Sequence, residues 1–99
     1  MAGTLAMRDL AATAASARYT LFIAAGSANS LAAVNNLRQS LARLSRPPGT
    51  VEIIDVYERP DLALKYSVLV TPMLMSSENP RTRLIGDLSP GAALDDFLR

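Results

Sequence analysis

The two side chains that carry most neutral-pH chemistry, cysteine and histidine, are both absent from this 99-residue chain. Without cysteine there is no disulfide, no thiolate nucleophile and no CxxC redox pair. Without histidine the usual general base and the commonest zinc ligand are missing, so catalytic triads and zinc sites lose their central member. Carboxylates and hydroxyls remain. On residue type Asp55 and Asp87 could share acid and base work in a hydrolase, but Asp55 closes an apolar run and reads more simply as a strand-end residue. Gly86-Asp87 joins a residue that permits positive φ to one that bonds local backbone, which suits either a switch element or an ordinary hairpin end before a Ser89 helix cap. Thr71-Pro72 places a proline, with no N–H to give, inside an apolar run, so a cis bond is expected there.

The elements that must position these residues follow from periodicity. Residues 1–18, rich in Ala, Ser and Thr, read as a flexible N-terminal tail, with no basic start or compact apolar core of a secretory signal. From Tyr19 the run YTLFIAA is strand-like and stops at Gly26-Ser27. Asn29 and Ser30 offer caps for a helix whose Val34, Leu37, Leu41 and Leu44 share one face, and Pro47, Pro48 and Gly49 are expected to end it. VEIIDV, residues 51–56, reads as a largely buried strand parallel to the first. Pro60 to Tyr66 suits a short helix with proline in its first turn. VLVTPMLM, residues 68–75, reads as a strand, RTRLI as a short strand, and Ser89-Pro90 as the cap and first turn of a final helix with Leu94, Phe97 and Leu98 inward. The order is β-α-β-α-β-β-α, an α/β domain over residues 19–99.

Length and charge narrow the partners. One core is expected, burying roughly 60 to 70% of the unfolded surface. Ten basic and nine acidic residues give a net charge of +1, with no footprint for nucleic acid or anionic lipid. No apolar stretch nears the ~20 residues of a membrane span. A soluble, cytoplasmic protein with protein partners, no nucleic acid, no membrane and no cofactor is the expectation.

Three blocks carry a resemblance. YTLFIAAGSANS, VEIIDVYERPDLALKYSVLVTP and RTRLIGDLS, in that order and spacing, make Tyr19 to Leu98 similar to the circadian clock protein KaiB family. The resemblance implies a thioredoxin-like fold and a non-enzymatic role: docking onto the ATPase KaiC and regulating its phosphorylation cycle, with KaiA-like or SasA-like clock proteins as further partners. It also implies two states, a tetrameric ground state with a different second half and a thioredoxin-like monomer that binds KaiC. The helix signals over 89–98 favour the second state and a monomer. So does the connector Glu78-Asn79-Pro80, where the family's proline cluster is thinned to Pro80.

By the same resemblance the partner-binding residues are Tyr57, Glu58, Arg59, Asp61, Leu62, Lys65 and Tyr66, and the fold-switch or structural ones are Thr71, Pro72, Pro80, Gly86, Asp87 and Ser89. Ala32 and Ser67 stand where family members commonly carry basic residues. Gly26-Ser27-Ala28-Asn29 occupies the loop where a CxxC would lie, either as a vestige or as a plain turn. Two other readings stay open: a thioredoxin-fold glutathione-binding enzyme using Ser27 or Tyr19 and the Pro72 edge, and a stand-alone relative of the KaiB-like sensor domain of the SasA histidine kinase.

Overall fold

The computed structural model describes residues 17–89 and 91–99. The element order is β1 (Tyr19–Ile23), α1 (Ala28–Arg43), β2 (Val51–Asp55), α2 (Pro60–Lys65), β3 (Met73–Ser76), β4 (Arg83–Ile85) and α3 (Gly91–Leu98), with a 3-10 turn at Pro48–Thr50. This is the expected thioredoxin-like βαβαββα arrangement, with the last segment helical. The strands form one sheet in the order β2-β1-β3-β4, with β2 parallel to β1 and the other pairs antiparallel.

Alternation along the strands divides the core. Tyr19 and Leu21 of β1, Val51 of β2 and Leu74 of β3 face α1 and α3, where they meet Ala33, Leu37, Leu41, Leu94 and Leu98. Phe22, Met73 and Met75 face the other way, under Leu62, Tyr66 and Val68 around α2. The first layer is dry: Leu21, Leu37, Leu74, Leu94 and Leu98 are at most 1% exposed. In contrast, α2 contributes no fully buried residue.

Several local details differ from the sequence expectation. Ala17 is buried, and Arg18 exchanges backbone bonds with Thr50 and Ser77, so both belong to the packed domain rather than to a tail; the rest of that segment, 1–16, lies outside the described residues. The cap of α1 is Ser27, whose hydroxyl accepts from the Ser30 N–H at 3.3 Å. Asn29 and Ser30 are already helical, and Ser30 instead accepts from the Ala24 N–H at 3.0 Å.

The same helix ends before its prolines. Ser45 turns left-handed at φ 54, and the bonds Arg46 N–H to Leu41 O and Ser45 N–H to Ala42 O close the two-bond reversal that usually employs glycine. β2 is not largely buried as expected: it is the sheet edge, only Val51 is buried, and Ile53 is left 42% exposed. Residues 68–72 are loop rather than strand, and β3 begins only after Pro72.

Candidate docking surface

The C-terminal ends of β1 and β2 and the loops around α2 form one end of the sheet, and Asp55 organises it. Its carboxylate accepts from the Tyr57 N–H at 3.0 Å and the Ala25 N–H at 3.4 Å, while its carbonyl accepts from Glu58 and Arg59. That is a structural role: it knots the β2–α2 turn to the β1–α1 loop. Asp87 is likewise occupied in its own loop, accepting from the Ser89 hydroxyl and N–H, which hold its carboxyl below the usual range. Both carboxylates thus serve the loops they sit in.

Helix α2 starts at Pro60 with Arg59 paired to Asp61 through two bonds of 3.0 and 3.1 Å, which raise the guanidinium pKa and lower that of the carboxyl. Both side chains are more than half exposed, so the pair adds little to stability. The helix closes as α1 does, with Ser67 at φ 54 and bonds from Val68 to Ala63 and Ser67 to Leu64. Leu62 and Tyr66 pack inward, the Tyr66 ring lying 6.1 Å from Phe22, and the Lys65 ammonium sits 5.3 Å over the Tyr66 ring.

Of the seven residues assigned to partner binding, Tyr57, Glu58, Arg59, Asp61 and Lys65 are therefore exposed, while Leu62 and Tyr66 belong mainly to the layer beneath. Three residues not anticipated join the exposed group: Leu64 at 82%, Leu69 at 90% and Val70 at 49% exposure, beside Tyr57 at 73%. Leu69 borders two shallow depressions of about 230 and 380 Å³ that share Val56, Ala63 and Val68. Apolar side chains held this far into water on one loop cluster are costly unless something covers them. Helix spacing signals Leu64, which falls two positions from the inward Leu62. Leu69 and Val70 carry no such signal, because their apolar run imitates a buried strand.

The structural residues sit around this surface. Thr71-Pro72 is cis, and Pro72 is buried with its carbonyl accepting from the Gly86 N–H at 3.0 Å. Gly86 has φ +105, and a Cβ added there would meet no atom within 4 Å, so backbone conformation, not space, demands glycine. Leu88 follows at φ 66 yet is 2% exposed, so its buried side chain holds a left-handed backbone in place. Asn36 of α1 donates to the Asp87 carbonyl at 2.7 Å, tying this loop to the opposite helix layer. The hydroxyl of Ser89 donates to Asp87, and Pro90 lies outside the described residues. Pro80 turns the β3–β4 connector and gives its carbonyl to Arg83.

Gly26 to Asn29 is an ordinary turn and cap, with Gly26 at φ +89 and Ser27 spent on the helix. A hollow of about 570 Å³ lies beside it, walled by Ile23, Leu31 and Val34. Tyr19 is 8% exposed with its ring 5.6 Å from Phe97, so it serves the core.

Comparison with known proteins places the chain. The KaiB domain family matches residues 20–99. The chain belongs to the KaiB family. Proteins named circadian clock oscillator protein KaiB from Prochlorococcus marinus strains MIT 9312 and NATL2A are each 37% identical over 70 residues, 70% of this chain and 67% and 65% of theirs. The namesake from Parasynechococcus marenigrum strain WH8102 is also 37% identical over 70 residues and is covered to 67%. The match thus spans about two thirds of the length of these KaiB proteins. Within the KaiB domain, the exposed cluster around α2 falls inside the second of the three blocks, and the Gly86-Asp87-Leu88 turn inside the third. Ala32 sits on α1, on the far face of the sheet, whereas Ser67 is at the α2 end beside Leu69. Among the described residues no helix is long and apolar enough to cross a membrane.

Proposed function

We propose that this chain is a non-enzymatic circadian clock protein that docks, in its thioredoxin-like state and as a monomer, onto a KaiC-type ATPase and regulates its phosphorylation cycle. The observation that carries the reading is the exposed apolar cluster Tyr57, Leu64, Leu69 and Val70, bracketed by Glu58, Arg59, Asp61 and Lys65. An apolar centre with a charged rim is the anatomy of a protein interface. Family membership supports the clock role, and the lack of both cysteine and histidine supports the absence of catalysis. KaiA-like and SasA-like proteins are the further partners this reading admits, and no nucleic acid or lipid is required by a net charge of +1.

The state that docks is the one in which residues 91–98 are helical. If a ground state with another second half and a tetrameric assembly is also populated, affinity falls by the docking-competent fraction. Gly86→Ala, which strains a φ of +105, then changes that fraction and the apparent affinity together. Titration of a KaiC-type hexamer tests the function: binding near or below about 10 μM, equivalent to about 7 kcal/mol, is the expected result. No complex at that concentration with either wild type or Gly86→Ala overturns it.

A further inference from the structure

Helix α2 has six residues, none fully buried, and its carbonyl end lies next to Leu69, the most exposed large apolar side chain among the described residues. A helix this short does not hold its own end, because its last carbonyls have no partners within it. Three are met locally: Leu62 O by Tyr66 N–H, Leu64 O by Ser67 N–H and Ala63 O by Val68 N–H. Just past the helix, the carbonyls of Tyr66 and Ser67 face β4, where one side chain donates to both. Arg83 donates Nη2 to Tyr66 O and Nη1 to Ser67 O at 3.2 Å. Its Nε donates to Pro80 O at 2.6 Å, and Nη1 also lies 3.5 Å from the Met73 sulfur.

The guanidinium is a rigid planar fork, so bonds to carbonyls on two different segments fix those segments relative to each other. One segment is the α2 end and the other is the β3–β4 connector. Hydrogen bonds from a charged donor are the stronger kind, and the positive charge suits a helix C-terminus. Among the described residues the two ion pairs are Arg43–Asp95 and Arg59–Asp61, and neither involves Arg83. Its bonding capacity goes into backbone.

We propose that Arg83 is the positioning residue of the docking surface: it clamps the α2 end to the β3–β4 hairpin, so the Leu64–Val70 apolar loop has its partner-ready shape only while that hairpin is formed. This rests on the docking reading for the use of the surface, while the clamp itself is a property of the free protein. A contact on one side of the chain thereby reports the fold of the other.

The test uses the full chain with Arg83→Met, which keeps the apolar stem, and Arg83→Lys, which keeps the charge but loses the fork. Val34→Ala, on the α1 side of the sheet, serves as a control for general destabilisation. Amide hydrogen exchange is read by NMR, and affinity for the KaiC-type ATPase is read in parallel. Arg83→Met is expected to speed exchange at Tyr66, Ser67 and Val68, whose N–H groups bond the α2 end, by about tenfold relative to the control, with α1 and α3 amides following the control, and to weaken docking by about tenfold. Arg83→Lys should fall between, and is the variant to read if Arg83→Met does not fold. In the Arg83→Met background, Leu69→Ala should cost less affinity than in wild type.

Exchange at Tyr66 to Val68 that matches the control overturns the clamp. Faster exchange with wild-type affinity overturns its link to docking. If wild type does not bind the ATPase, the docking reading has failed instead, and the clamp stands or falls on exchange alone.

Discussion

The two faces of the sheet are built to different standards. On the α1/α3 face, Leu37, Leu94 and Leu98 close a dry layer over Leu21 and Leu74, and a row of polar side chains on α1, Asn36, Ser40 and Arg43, ties down the C-terminal segment. Ser40 and Arg43 both donate to Asp95 of α3, and Asn36 donates to the Asp87 carbonyl. On the α2 face a short helix rests on Phe22, Met73 and Met75 through Leu62, Tyr66 and Val68, and sends Leu64 and Leu69 into water. The first face buries most of its apolar surface, with Leu31 and the Ile53 edge as its exposed exceptions; the second leaves Tyr57, Leu64, Leu69 and Val70 exposed together around one short helix. Phe22, Met73 and Met75 are as dry as the first layer, so the difference lies in the cover above them: one six-residue helix rather than two longer ones.

The largest effect that would break this contrast is in the dry layer. Leu37→Ala removes a side chain that is 1% exposed and should cost about 2–5 kcal/mol in urea unfolding, while the molecules that remain folded dock normally. Leu69→Ala should do the reverse: stability within about 0.5 kcal/mol of wild type and docking weakened by about 1–2 kcal/mol, or roughly 5- to 30-fold. Should Leu69→Ala unfold the protein, or Leu37→Ala impair docking of folded molecules, the division of labour between the faces is wrong.

The polar row sharpens the comparison through pH. Asp95 is held below its ordinary value of 3.8, first by hydrogen bonds from Arg43 and then by the bond from Ser40. The unfolded chain therefore takes up this proton first as pH falls. The contribution of Asp95 is complete above about pH 5, shrinks as pH falls through the ordinary carboxylate range and vanishes once pH drops under the folded value. Asp61 and Asp87 are lowered in the same direction. Asp95→Asn should thus flatten the acid loss of stability between about pH 5 and 2 only in part, as read from melts across that range. An unchanged slope would remove the Ser40 and Arg43 bonds to Asp95 from the stabilising contacts.

The smallest effects lie at the two helix ends. Ser45→Gly and Ser67→Gly each replace a side chain held at φ 54, and each should stabilise by about 0.5–1 kcal/mol after the extra freedom of glycine in the unfolded chain is counted. Equal gains at both would show that the ends are alike in cost although only one borders the docking surface.

How much of this is legible in the sequence depends on how local the cause is. The element order, the inward face of α1, the cis bond at Thr71-Pro72 and the glycine requirement at 86 follow from residue type and short spacing. The cap falls on Ser27 rather than Asn29 because three hydroxyl or amide side chains compete within four positions and tertiary bonding to Ala24 claims Ser30. The end of α1 at Ser45 is hidden, since serine is not the residue expected at a left-handed position. Leu69 and Val70 look like part of a strand because exposure depends on what lies across the fold, and a run of Val, Leu and Val has the same pattern whether buried or left bare. The clamp by Arg83 spans 16 and 17 residues, to Ser67 and Tyr66, and no short-range pattern signals it.

The central claim is that the α2 face docks and the α1/α3 face does not. The direct measurement follows backbone NMR signals of the labelled protein while a KaiC-type hexamer is added in substoichiometric steps. Intensity should be lost first at residues 57–70, with amides of α1 retained until the whole molecule broadens. Loss centred on α1 and the Ile53 edge, or no loss at all at about 10 μM, would contradict it.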